Sequence, residues 1–210
     1  MSLPKILVTG FGPFPGAPNN PSAAVALSLA RSQRAAHFAR VRAAIIPTVY
    51  AEIAEFPKLI AKEKPDAVLM FGLAGKTSWL RIETWGRNRA SLFHADALHG
   101  KSGQILIPGA PGTLPVRAPV RRLLQAARSA GVDVRPSRDA GGYLCNAAIF
   151  HALVSVTGKK PLVAFVHIPS PRGRVKSRAG YFSARPTMAM IQRAAEAILI
   201  ALAQAAKTSG

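Results

Sequence analysis

Ala67-Val68-Leu69-Met70-Phe71 is an unbroken apolar run set between Pro65-Asp66 and Gly72. Proline before it and glycine after it punctuate the run. A stretch this short, with no polar alternation, reads as a strand covered on both faces. That is the pattern of a parallel sheet sandwiched between helices. Residues 5–10 and 161–168 read the same way, and strands are also expected at 41–48 and 80–86. Helical spacing lies between them. Residues 50–64 bring Ile53, Phe56, Leu59 and Ile60 onto one face. An alanine-rich helix runs from an expected N-cap at Ser22 to about residue 33. Further helices are expected at 119–130, 144–156 and 186–206. Residues 87–116 are irregular apart from a short strand at 105–107, 136–142 read as a turn, and 169–185 as a basic loop. Strands alternating with helices predict an α/β fold. Its form is a single-domain three-layer α/β/α sandwich over residues 1–210, around a mostly parallel, mixed and twisted sheet.

Composition narrows the function classes. The 210 residues include 28 Lys+Arg against 9 Asp+Glu, a formal charge of +19, and 49% are hydrophobic. That apolar fraction excludes an intrinsically disordered chain. No uncharged apolar run reaches the roughly 18–20 residues that span a bilayer, and the first residues lack the zones of a signal peptide. The cytoplasm is therefore the expected location. One cysteine, Cys145, excludes an internal disulfide and a cysteine-based zinc site. The charge raises nucleic acid as a partner, through basic clusters at 117–138 and 170–178. No nucleic-acid motif accompanies them and aromatics are only 7%, so this partner is not the expected one.

Open α/β sheets bind ligands beyond the carboxyl ends of their strands. Four features fall there: the loop 10–20, Gly72-Leu73-Ala74-Gly75, His167 just before Pro169, and Gly141-Gly142-Tyr143 leading into Cys145. A thiol at a helix start is expected to have a lowered pKa and, beside an imidazole, to act as a nucleophile. A small buried core cysteine fits the same position. Of five histidines, His151 sits six residues past Cys145 on the same helix, turned about 240° away. His37, His94 and His99 lie in connections, leaving His167 on the expected rim, where a satisfied core histidine is equally at home. Among nine carboxylates, Glu52, Glu55, Glu63 and Glu196 sit on helices, Asp66 and Asp133 in turns, and Asp96 and Asp139 in irregular segments. Glu83 stands inside a strand, where glutamate is disfavoured, and an ion pair with Arg81 or Arg87 is the plain explanation.

Four segments, in order, give a resemblance. Val8-Thr9-Gly10-Phe11-Gly12-Pro13-Phe14 with Asn20-Pro21-Ser22, Gly72-Leu73-Ala74-Gly75 with Glu83 and Asn88, Ala140-Gly141-Gly142-Tyr143-Leu144-Cys145-Asn146, and Val166-His167-Ile168-Pro169 are similar to the motifs of the pyrrolidone-carboxylate peptidases (pyroglutamyl peptidase I, cysteine peptidase family C15). The resemblance implies a catalytic triad at Cys145, His167 and Glu83, and a thioester route for removing N-terminal pyroglutamate from peptides. It implies ring-binding positions at Phe11, Phe14, Asn20, Leu73 and Tyr143, no cofactor or metal, and a homo-oligomer, commonly a tetramer. Three departures stand out: Leu73 replaces the family's usual glutamine, of the family's acidic stretch only Asp96 has a counterpart within 92–100, and the loop 170–178 after His167 is strongly basic. The alternative reading they leave is a catalytically weak or dead relative that binds modified N-termini.

Overall fold

The structure, a computed structural model, describes residues 2–14, 16–91, 95–172 and 185–209. The chain runs β1 (Lys5–Phe11), α1 (Pro21–Ala30), α2 (Gln33–Ala36), β2 (Arg40–Ile46), α3 (Tyr50–Ala54), α4 (Phe56–Glu63), β3 (Ala67–Leu73), β4 (Leu80–Glu83), β5 (Trp85–Arg87), β6 (Thr113–Pro115), α5 (Val120–Ser129), β7 (Val134–Ser137), α6 (Leu144–Val154), β8 (Leu162–Ile168) and α7 (Met188–Thr208).

The apolar run 67–71 lies in the middle of the main sheet, whose order is β2-β1-β3-β8-β4-β7. β1 is parallel to β2 and β3, and β3 is parallel to β8. β4 runs antiparallel to β8 and carries β7 parallel on its outer side. The sheet is thus mixed and mostly parallel, as the sequence predicts. Along β3, Leu69 and Phe71 join the core under α1, α5 and α7, with Val25, Leu29, Leu123, Ile198 and Leu202. Val68 and Met70 point to the opposite core under α3, α4 and α6, with Ile53, Phe56, Ile60 and Ile149. Two covered faces explain why the strand has no polar alternation. Each large side chain buried this way contributes about 1.5–3 kcal/mol.

Several boundaries differ from the sequence reading, each for a local reason. The cap of α1 is Asn20, whose side chain accepts from Ser22 N–H, with Pro21 in the first turn. Residues 50–64 form two helices, because Pro57 in the first turn of α4 cannot continue the hydrogen-bond ladder of α3. The strand expected at 80–86 divides at Thr84. β4 stays in the main sheet, and β5 pairs antiparallel with β6 in a separate two-stranded ribbon. No strand forms at 105–107. There the backbone N–H and C=O of Ile107 are taken by the side-chain amide of Asn88, which removes them from any ladder. Residues 134–137, outside the expected strands, form β7. Pro136 is tolerated because β7 is an edge strand. α7 is long and apolar enough, by length and composition, to cross a membrane. Its apolar stripe, including Ile191, Ile198, Leu199 and Leu202, is instead fully buried against the core. The basic residues 173–178 lie outside the described residues.

Candidate active site

β1 ends at Phe11 and the chain doubles back into α1. Gly10 makes this possible: a Cβ there would lie 2.3 Å from the Ser22 carbonyl oxygen, so only glycine lets α1 press onto the strand. Ser22 Oγ accepts from Phe11 N–H, and Asn20 Nδ2 donates to the Gly12 carbonyl. These bonds tie the end of β1 to the start of α1. β3 ends at Gly72-Leu73, β8 at His167-Ile168, and α6 starts at Leu144 with Tyr143 as its cap residue. Asn146, buried near that start, anchors the helix to β5 and the residues after it. Its amide donates to the Arg87 and Arg89 carbonyls and accepts from Arg87 N–H.

Register brings the reactive groups onto one face. Gly72 pairs with His167 across β3 and β8, and His167 pairs with Arg81 across β8 and β4. Partners across adjacent strands project their side chains to the same side, and Glu83 shares that side two residues past Arg81. Cys145 completes the cluster from above: a Cβ on Gly72 would lie 2.8 Å from its Sγ and 2.7 Å from the Phe165 ring. Glycine at 72 therefore leaves the space in which the sulfur sits. His167 Nδ1 is 2.7 Å from Glu83 Oε1, a separation that places a proton on Nδ1, donated to the carboxylate. Its ring packs against Phe165, centroids 4.8 Å apart. Glu83 is 0% exposed, and its Oε2 has no hydrogen-bond partner among the described residues. Arg81, not Arg87, is the cation beside it, with Nε 3.3 Å from Oε1. Arg87 lies near Asp139 and donates to the Arg138 carbonyl.

The electrostatics correct one expectation. Burial pushes the Cys145 thiol up to about 12, the Glu83 charge adds to this, and Arg81 and a backbone hydrogen bond pull it only partly back. The helix start does not overcome desolvation, so the resting group is a thiol. Burial likewise holds His167 below the usual imidazole range. Glu83 opposes that shift and Arg81 reinforces it. The resting pair is a neutral thiol and a neutral imidazole with its proton on Nδ1.

Phe11, Phe14, Asn20, Leu73, Tyr143 and Cys145 line one small cavity of about 50 Å³, together with Thr48 and Leu144. All five residues expected to bind a ring are thus brought together beside the sulfur. Thr48 and Leu144 carried no signal in the sequence. Most polar side-chain groups there are turned inward: Thr48 Oγ1 donates to the Pro13 carbonyl, Tyr143 Oη to the Ala95 carbonyl, and Asn20 is engaged by its own loop. Asp96 stands apart from the chemistry. Burial alone would raise its carboxyl pKa, but backbone N–H donors from Tyr50, Gly100 and Leu98 hold it below the usual carboxylate range. It organises the loop 95–100. Among the other histidines, His37 ends α2, His99 sits in the Asp96 loop, and His151 lies along α6. His94 lies outside the described residues.

Gly72→Ala is expected to cut turnover of the substrate proposed below by about 10²-fold, because the added methyl displaces Sγ or the Phe165 ring behind His167. The same overpacking should cost about 1–3 kcal/mol of stability. Kinetics and thermal melting read both, and an alanine variant with wild-type kcat/KM would contradict this placement of the sulfur.

Comparison with known proteins gives consistent matches. The family model described as pyroglutamyl peptidase matches residues 4–208. The pyrrolidone-carboxylate peptidase of Thermococcus kodakarensis is 31% identical, over 89% of this chain and 88% of the relative. That of Gloeobacter violaceus is 36% identical, over 79% and 81%. The solved structure of a mutant pyrrolidone carboxyl peptidase from the hyperthermophile Pyrococcus furiosus superposes with a TM-score of 0.84 at 27% identity, covering 96% of this chain and 98% of that one.

Proposed function

The chain belongs to the pyroglutamyl peptidase family, and from that membership and the cluster over Gly72 we infer that it is a cysteine exopeptidase removing N-terminal pyroglutamate from peptides. The observation that carries the reading is that Cys145 Sγ lies over Gly72, whose strand partner His167 meets Glu83 at 2.7 Å, beside an apolar cavity.

The geometry supports a definite order of events. Cys145 Sγ attacks the pyroglutamyl carbonyl carbon while its proton passes to His167 Nε2. Because the resting thiol is held up by burial, this transfer belongs to the attack step. Glu83 accepts from Nδ1–H and stabilises the imidazolium that forms. Backbone N–H groups at the start of α6 stabilise the oxyanion. Collapse breaks the C–N bond, the leaving amine takes the proton from His167, and a thioester remains. Water then attacks the thioester with His167 as base, releasing pyroglutamate and restoring the thiol. A free thiol nucleophile also calls for a reducing setting, the physical ground for a cytoplasmic location.

Ring selection follows from the lining. Phe11, Phe14, Leu73 and Leu144 give apolar walls. With Thr48, Asn20 and Tyr143 committed inward, the lactam is left to backbone groups, and Leu73 supplies shape where an amide side chain would supply a hydrogen bond. Such a pocket takes a flat uncharged ring and rejects a prolyl ring, whose ammonium would be desolvated without a partner. The test is release of a chromogenic amine from pyroglutamyl and prolyl amides. The pyroglutamyl amide should turn over, and the prolyl amide at least about 10³-fold more slowly. A folded wild-type protein inert toward the pyroglutamyl amide would overturn the reading.

A further inference from the structure

Arg81 sits where the proposed catalytic groups meet. It occupies the position on β4 that pairs with His167 on β8, so strand register alone directs it at the imidazole. Its Nη2 lies 3.2 Å from His167 Nδ1, and its Nε lies 3.3 Å from Glu83 Oε1. One guanidinium therefore faces both members of the pair. Its side chain is 25% exposed, whereas that of Glu83 is fully buried, so the cation reaches in from the rim. Among the described residues, the charged groups that act on His167 are Arg81 and Glu83 from β4, and Cys145 from α6 lies over Gly72, the strand partner of His167. β3 presents only Gly72 at this register.

The 2.7 Å contact to Glu83 occupies the Nδ1 proton, so Arg81 cannot also donate to Nδ1. Two consequences follow. A buried carboxylate with one unpartnered oxygen costs free energy unless a cation offsets it, and Arg81 is that cation. The same positive charge opposes a second proton on the imidazole. We propose that Arg81 is a positioning residue for the triad: facing His167 across the strand pair, it opposes a second proton on the ring, so that the imidazole stays free to take the thiol proton in mildly acidic conditions. This rests on the peptidase reading above and goes beyond it by assigning the working pH range to a residue outside the triad.

Arg81 favours the thiolate and disfavours the imidazolium. Its removal therefore raises the affinity of both Cys145 and His167 for protons. In Arg81→Gln the acid limb of kcat/KM should move to higher pH. Activity on that limb should fall about tenfold below wild type, while the plateau stays within about threefold. Arg81→Lys keeps the charge and should restore the wild-type limb.

A readout free of substrate separates this proposal from the peptidase reading. Cys145 is the only cysteine in the chain, so the rate of iodoacetamide alkylation against pH reports this one thiol. That profile should also move to higher pH in Arg81→Gln and return in Arg81→Lys. Should the glutamine variant fail to fold, nitrogen NMR of His167 in Arg81→Met decides: the ring should take its second proton at higher pH than in wild type. A glutamine variant whose limb and alkylation profile match wild type, or a methionine variant whose His167 titrates as in wild type, would overturn the proposal. An inert wild type with the expected alkylation shifts would overturn the peptidase reading instead.

Discussion

Cys145→Ser is expected to hydrolyse pyroglutamyl amides at least about 10⁴-fold more slowly than wild type, while still binding pyroglutamate. A serine hydroxyl at this site is a much weaker nucleophile than the sulfur, and the same burial that pushes the thiol up to about 12 disfavours an alkoxide more strongly still. The substitution removes only polarisable bulk, and the ring cavity keeps its Phe11, Phe14, Leu73 and Tyr143 walls. Loss of turnover with product binding intact is thus the signature of a missing nucleophile, readable by steady-state kinetics and calorimetry. A serine variant within tenfold of wild type would remove Cys145 from the chemistry.

Glu83→Gln should lower kcat/KM by about 10³–10⁴-fold with little change in melting temperature. Glutamine matches the shape of glutamate and its carbonyl can still accept from His167 Nδ1. It lacks the charge that stabilises the imidazolium in the attack step, and its amide end can present N–H to Nδ1 and reverse the tautomer. The fold tolerates the change because the carboxylate carries an unpartnered buried oxygen. Kinetics beside a melting curve distinguish the two effects. Near-wild-type activity would show that Glu83 serves only as a counter-charge for Arg81.

The sheet was legible in the sequence because a strand covered on both faces must be apolar throughout, and 67–71 has no other way to bury its side chains. The elements that went unread depend on distant partners. Whether 105–107 pairs is decided by the Asn88 amide, and β7 exists because β4 offers it an open edge. The strand ends carrying the candidate residues were legible, and Glu83 stood out by its place inside a strand, but its proposed role came only from the family resemblance. The roles of Gly72 and Arg81 were not legible. Gly72 matters for what would strike a Cβ there, and Arg81 for its register opposite His167, and both are facts of strand pairing. The thiol went the other way. A helix start predicts a lowered pKa, but the burial needed to hold the sulfur over Gly72 outweighs it. Among the described residues, the basic side chain that contacts His167 and Glu83 is Arg81.

The central claim is that Cys145 becomes acylated by the pyroglutamyl group. Mixing excess wild-type protein with a pyroglutamyl ester, quenching in acid within the first turnover and measuring the intact mass tests it directly. The expected result is a gain of one pyroglutamyl group that maps to the peptide containing Cys145 and is absent from Cys145→Ala. Turnover of the ester by wild type without such an adduct in any early quench, or an adduct that maps to another residue or persists in Cys145→Ala, would contradict it.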